Sequence, residues 1–308
     1  MGIKLCVAAI VKNEADSLLE WISFHRSVGV QTFFIADNES TDATIKILDV
    51  LSHEGIVEYF SIATPSDGNA QMPAYSEILK RAKGKCDVLA FIDADEYLLS
   101  TEENPSILPL INEIFSTSTV SALGLNWANF GSNGHLFSRD GMIIERFTKR
   151  APQNFNVNLH IKSIVRPEMV SEFHNPHYAI LKEGRYVDTT GADIVANERH
   201  GSGLTNKVVW HRARVNHYAT KSLEEFVLGK SRRGSASKKS RVKHEKYFMQ
   251  HDRNDEECLL AFGIADATRE EMAKLKELLD KKDTEIINNG RNVGDHLKKA
   301  ISTLKKIL

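Results

Sequence analysis

Paired cysteines, a membrane-length apolar run and an excess of one charge are all missing from this chain of 308 residues. Its three cysteines, Cys6, Cys86 and Cys258, are odd in number and widely spaced, which excludes a disulfide framework and reads as reduced thiols in a cytosolic protein. No apolar run approaches the roughly 20 residues of a membrane span. No basic n-region followed by an apolar h-region opens the chain. A soluble, cytoplasmic, non-secreted protein is expected, with peripheral membrane contact left open. A net charge of −1 with 26% charged residues gives no signature of nucleic-acid binding. His160, His174, His177, His200, His211 and His217 crowd one region, but no spacing makes an H-E-x-x-H helix or a Cys/His finger.

What is present is organised around CDVLAFIDADEYLL, residues 86 to 99. Val88 to Ile92 are uninterrupted by polar residues and read as a strand covered on both faces. Asp93, Asp95 and Glu96 come next, at its carboxyl end, where ligands of an open α/β sheet bind. Two carboxylates at i and i+2 can share a hard divalent cation that keeps sites for phosphate oxygens. The same acids could instead simply end the strand and cap the next element.

Three β–α units precede that strand. IKLCVAAIV (3 to 11), QTFFIAD (31 to 37) and IVEYFSI (56 to 62) are strands. Each is succeeded by a helix: Ser17 to Val28 with Gly29 as stop, a second capped by Ser40 or Thr41, and a third with Pro73 near its start. Alternation of this kind implies a mostly parallel, Rossmann-like sheet flanked by helices. The first two strands also end in polar residues, Lys12, Asn13 and Glu14, then Asp37, Asn38 and Glu39. In a parallel sheet these loops converge on one crevice, where they can bond a base and ribose while a metal holds the diphosphate.

Downstream, TEENPSILPLINEIF is expected to be capped by Thr101 or Asn104, and VSALGLNW (120 to 127) to be a strand. Trp127, Phe130, Gly131, Ser132 and Gly134 then make an aromatic, glycine-rich turn, which is either only a loop or an aromatic face for stacking on an apolar ligand surface. Asp140, Glu145, Glu172, Asp188 and Asp193 are candidate bases for an acceptor hydroxyl. Glu145 is preferred because MIIERF sets it in an apolar, strand-like run, where burial raises a carboxyl pKa; a salt bridge to Arg146 or Arg150 is the competing role. Basic residues run from Lys221 to Lys246, a solvated loop, a donor lid or an anionic-lipid contact. Thr268 with Glu271 reads as a capping box before an apolar face of Met272, Leu275, Leu278 and Leu279. Val293, Leu297, Ala300, Ile301, Leu304 and Leu308 form a second stripe. These helices pack on the domain, pair with another chain as a homo-oligomer, or lie on a membrane.

AAIVKNEADSLLEWISFHRSVGV, FFIADNESTDAT and FIDADEYL, with LNWANFGSNGH, KSIVRP and NHYATKSLEEFVLGKSRRG later, resemble GT-A glycosyltransferases of the family-2 type, especially the family-92-like branch. The resemblance implies a GT-A-like domain over 1–250, with a donor half near 1–100 and an acceptor half near 101–250, then a helical extension over 251–308. It implies an inverting, Mn²⁺- or Mg²⁺-dependent transfer from a UDP-sugar to a hydroxyl of a glycan or lipid-linked acceptor, as in polysaccharide biosynthesis. Carried over by position, Val11, Glu14, Asp37, Asn38, Asp93 and Lys221 meet the nucleotide, Asp93, Asp95 and His217 the metal, and Trp127 and Phe130 an apolar sugar face on the acceptor side. Asn38 stands where many family-2 members have a second acid. A metal-dependent nucleotidyltransferase or phosphohydrolase, and an inactive nucleotide-sugar-binding scaffold, use the same residues and stay open.

Overall fold

The computed structural model describes residues 2–197, 201–231 and 242–282. Strands β1 (Leu5–Val11), β2 (Thr32–Asp37), β3 (Val57–Ser61) and β4 (Val88–Phe91) are parallel, in the order β3-β2-β1-β4. Every residue of β1 is buried, as an apolar run without alternation requires when both faces are covered. Its side chains divide by parity. Leu5, Val7 and Ala9 pack with Leu18, Trp21 and Ile22 of α1 (Ala15–Ser27) and with Leu48 and Leu51 of α2 (Thr44–His53). Cys6 and Ala8 pack with Tyr75, Ile78 and Leu79 of α3 (Gln71–Ala82). Helix α1 stops where expected, with Gly29 at φ +112°, a conformation that favours glycine.

The sheet continues through β4-β8-β6-β14-β5, where β5 is Glu96–Ser100, β6 Val120–Asn129, β8 Ile161–Val165 and β14 Ala213–His217. Strand β8 is antiparallel to both β4 and β6, β14 is parallel to β6, and β5 is antiparallel to β14. Only Ile92 to Asp95 separate β4 from β5 in sequence, yet four strand spacings separate them in the sheet. A flat sheet would set them ~19 Å apart, and five residue steps reach at most ~17 Å. The sheet therefore curls, and the acidic loop closes it. Strand β11 (Arg185–Val187) pairs in parallel with the first residues of β6. Three small ribbons complete the strands: β9 (Val170–Asn175) with β10 (Tyr178–Leu181), β12 (Ala196–Asn197) with β13 (Gly201–Thr205), and β7 (Lys149–Arg150) with β15 (Glu256–Glu257).

Local chemistry moves several expected boundaries. Helix α2 begins at Thr44, because Ser40 Oγ is engaged by the Asn13 N–H (2.9 Å) while Asp42 Oδ1 accepts from the Thr44 N–H (2.9 Å). Helix α4 (Leu108–Ile114) starts after Ile107, and Asn104 accepts instead from the Ser106 N–H (3.0 Å). Glu145 lies in a single helical turn, α5 (Ile143–Arg146), not in a strand. Helices α6 (Leu223–Leu228) and α7 (Glu245–His251) come later in the chain. A helix over 265–282 contains Thr268, whose buried hydroxyl donates to the Ile264 carbonyl (2.9 Å), so no capping box forms; Glu271 pairs with Arg26. Leu275 of that helix is buried in the main core, with Met272, Leu278 and Leu279 packed against it. Gly131 admits no side chain, since its Cβ would stand 2.5 Å from the Arg253 carbonyl oxygen. That close approach binds the 251–255 segment to the sheet. No helix among the described residues is long and apolar enough to cross a membrane. Arg232, Arg233, Gly234, Lys238, Lys239 and Arg241 of the basic run, and the stripe from Val293 to Leu308, lie outside the described residues.

Candidate active site

The loop after β4 is a tight turn, in which the Glu96 N–H donates to the Asp93 carbonyl (3.0 Å) and Glu96 Oε2 accepts from the Asp93 N–H (2.7 Å). Lys162 reaches it from β8, 2.8 Å from Asp93 Oδ2 and 3.2 Å from Glu96 Oε2, with its side chain 1% exposed. Gln71 Nε2 donates to Asp93 Oδ1 (3.2 Å). Asp95 Oδ2 instead faces His217 Nε2 (3.4 Å) and the Lys230 ammonium.

These surroundings separate the two acids electrostatically. Burial pushes the Glu96 carboxyl up to about 8, with Lys162 acting in the opposite direction. Burial also works against ionisation of Asp95, but Lys230 and His217 outweigh it and hold that carboxyl well below the usual range. For Lys162, burial disfavours the charge, yet Asp93 and Glu96 more than compensate and keep it protonated.

Helix α1 fixes the loop's backbone. Trp21 Nε1 donates to the Glu96 carbonyl (2.7 Å), and His25 Nε2 accepts from the Leu98 N–H (3.1 Å) while its Nδ1 donates to the Trp21 carbonyl (2.7 Å). Such bonding requires a neutral imidazole, and burial lowers the His25 pKa to about 3. The tryptophan and histidine of the α1 block thus hold β5 in place.

Register sets the floor of the site. Paired residues on adjacent strands project to one face, so His217, opposite both Glu96 and Asn129, shares a face with them and with Trp127. Trp127 stacks on His160 (4.8 Å between ring centroids) and lies 4.2 Å from the His217 ring and 5.1 Å from that of His177. Four buried polar atoms on this face lack a hydrogen-bond partner: Glu96 Oε1, Trp127 Nε1, Asn129 Oδ1 and His217 Nδ1. Buried polar atoms are ordinarily paired, so together they form a set of donors and acceptors suited to a hydroxylated ligand. Trp127 belongs to a strand, not a turn. Phe130 has the opposite parity and is core, 1% exposed and packed on Tyr218 (4.8 Å).

At the nucleotide end, the Val11 carbonyl accepts from the Asn38 N–H (2.8 Å), tying the ends of β1 and β2. Asp37 is fully buried; its Oδ2 accepts from the Ser40 N–H (3.3 Å), and its Oδ1 has no partner. Asn38 Nδ2 is used within the protein, donating to the Ile62 carbonyl and Thr64 Oγ1. Glu14 takes the Ser17 hydroxyl (3.2 Å), and its N–H donates to Thr44 Oγ1 (2.9 Å). Lys221, at φ +51°, precedes the Ser222–Glu225 capping box, and its charge acts on Glu20. Glu145 pairs with Arg269 (2.5 Å), not with Arg146 or Arg150, and its Oε2 accepts from the Met142 N–H (3.4 Å). Among the other acids, Asp140 and Glu172 are exposed, Asp188 accepts from the Thr190 N–H (2.8 Å) and hydroxyl, and Asp193 pairs with Arg185.

Among the described residues, no group of three His, Cys, Asp or Glu side chains is arranged to hold a metal ion. Both Asp93 oxygens are occupied, by Gln71 and Lys162. Asp95 and His217 offer one carboxylate oxygen and one imidazole nitrogen, a pair that suits Mn²⁺ better than the oxygen-seeking Mg²⁺, and the Lys230 ammonium sits on that oxygen.

A β–α–β half-sheet whose last strand, β4, ends in an acid-rich loop and is continued by the antiparallel β8 is the layout of a GT-A-type domain. The chain belongs to glycosyltransferase family 92: the family's model matches residues 2–289. A family 92 protein of Ricinus communis is 29% identical over 209 residues, covering 63% of this chain and 34% of that protein. One of Arabidopsis thaliana is 28% identical over 196 residues, covering 59% and 33%. The chain therefore spans about a third of the length of these curated relatives. Among solved structures, Staphylococcus aureus TarS 1-349 is similar with a TM-score of 0.37 and 18% identity, covering 54% of this chain and 48% of that one. Its complex with UDP-GlcNAc gives 0.36 and 19%, covering 54% and 46%.

Proposed function

We propose that this protein transfers a sugar from a nucleoside diphosphate sugar, UDP in the first instance, to a hydroxyl of a glycan or lipid-linked acceptor, with inversion at the anomeric carbon. The observation that carries this reading is the placement of Asp37, and of Asp93 and Asp95, at the carboxyl ends of β2 and β4, the two parallel strands that flank β1, beside a floor of unpartnered polar atoms. The free Asp37 Oδ1 suits the N–H of a pyrimidine, and Asp93, held by Lys162 and Gln71, suits a ribose hydroxyl. Asp95 and His217 would hold the cation, which when bound supplies a positive charge for the leaving diphosphate. Trp127 Nε1, Asn129 Oδ1 and Glu96 Oε1 match the mixed donor and acceptor character of sugar hydroxyls.

Binding on that floor orients the anomeric carbon toward the acceptor, and positioning of this kind supplies much of the catalysis in a direct displacement. Glu145 is proposed as the base that takes the acceptor proton; using it requires the Arg269 pair to open. The test is UDP release from a panel of UDP-sugars, with and without added glycan acceptors, alongside nucleoside triphosphates. Acceptor-stimulated UDP release supports transfer, whereas faster turnover of triphosphates favours nucleotidyl transfer or phosphohydrolysis. UDP binding without turnover favours a scaffold. In Glu145→Gln, lost transfer with retained UDP binding supports the base, and unchanged transfer removes Glu145 from that role.

A further inference from the structure

The ammonium of Lys230, two residues past the end of α6, lies on Asp95 Oδ2, the oxygen that also faces His217 Nε2 at 3.4 Å. Three carboxylates, Asp93, Asp95 and Glu96, share this loop with two ammonium groups. They are not equivalent cations. Lys162 is 1% exposed, belongs to strand β8, and bridges Asp93 and Glu96. Lys230 is 28% exposed, stands outside any helix or strand, and contacts Asp95 alone among these acids. The Tyr247 ring of α7 lies 5.9 Å from the ammonium, and the Glu14 carboxylate also acts on its charge.

Asp95 is the acid that the proposed donor site assigns to the cation. A divalent cation and an ammonium cannot share that oxygen: they compete for its lone pairs and repel each other. A cation arriving alone would take from the partly buried Lys230 charge its closest counter-charge, which is unfavourable. A cation arriving with a diphosphate brings new anionic oxygens for that ammonium. We propose that Lys230 is a displaceable counter-ion of Asp95. It occupies the carboxylate until cation and nucleoside diphosphate enter together, then turns to the phosphate oxygens. Cation and nucleotide binding are thereby coupled through one side chain. This rests on the reading of Asp95 as the cation ligand.

The test is calorimetric titration of Mn²⁺, with and without saturating UDP, into the wild type, Lys230→Met, Lys230→Gln and Asp95→Asn, with thermal melts to confirm folding. In the wild type, UDP is expected to tighten Mn²⁺ binding about 10-fold or more, within the usual range of coupling between sites. Without UDP, both Lys230 variants are expected to bind Mn²⁺ about 10-fold more tightly than wild type, and UDP tightens Mn²⁺ binding by a smaller factor than it does in wild type. Mn²⁺ binding that Asp95→Asn abolishes but both Lys230 variants leave unchanged overturns the role of Lys230 alone. Mn²⁺ binding that is absent, or indifferent to Asp95→Asn, overturns the cation site and the Lys230 role together.

Discussion

Replacing Lys162 by methionine tests the electrostatic account of the acidic loop. The ammonium is 2.8 Å from Asp93 and 3.2 Å from Glu96. Removing one partner of a buried ion pair costs about 3–5 kcal/mol. The Asp93 side chain is a third exposed and partly rehydrates, so the expected cost lies near the lower end, about 3 kcal/mol. For a chain of this size that lowers the melting temperature by roughly 6 °C. Glu96 adds a pH dependence with a defined sign. Its folded pKa is raised to about 8 from 4.5, so its contribution to stability is whole below 4.5 and falls away as pH rises toward 8. Losing Lys162 raises it further. Above pH 8 the wild type releases a proton that the variant keeps, and the deficit widens by up to ~1.4 kcal/mol per pH unit. Urea unfolding at pH 7 and pH 9 measures both quantities, and Asp93→Asn in the Lys162→Met background should recover most of the loss at pH 7. A deficit below about 1 kcal/mol at pH 7, or one identical at both pH values, would refute the reasoning.

Trp21→Phe removes the 2.7 Å bond to the Glu96 carbonyl and leaves a buried acceptor unpaired, an expected loss of about 1–2 kcal/mol by urea unfolding. Burial lowers the pKa values of His25 and His251 to about 3 and that of His177 well below its usual value. The unfolded chain therefore binds more protons below pH 6.5, and stability should fall on acidification by up to ~1.4 kcal/mol per unit for each histidine; a urea midpoint unchanged between pH 7 and 5.5 would contradict this. Trp127→Phe deletes an unpartnered N–H and should change stability by under about 1 kcal/mol while weakening UDP-sugar binding about 10-fold relative to UDP. Equal weakening of both ligands would place Trp127 away from the sugar.

The β–α half of the fold was legible because buried parallel strands read as unbroken apolar runs, and β1 to β4 fall where those runs do. The acids stood out for the same reason, at the ends of those runs. The return of EYLLS to the far edge of the sheet was not legible, since pairing β5 with β14 is a contact across more than 110 residues. Lys162 could not be found within KSIVRP until β8 was set between β4 and β6, the two strands that bury it. Trp21 and His25 sat in the family-like block, but period and spacing cannot tell a ligand contact from a bond to a neighbouring backbone. Lys230 was masked by a basic run whose ordinary reading is a solvated face. Phe130 was misplaced because β6 runs to Asn129, two residues beyond the apolar run, which changes the parity that separates floor from core.

The central claim is that the crevice at Asp95 takes a nucleoside diphosphate with a divalent cation, and titration of UDP with Mn²⁺ or with chelator into wild type and Asp95→Ala tests it most directly. The account predicts UDP binding that requires Mn²⁺ and disappears in Asp95→Ala. UDP affinity that is the same with Mn²⁺ and chelator, and unaffected by Asp95→Ala, would contradict it.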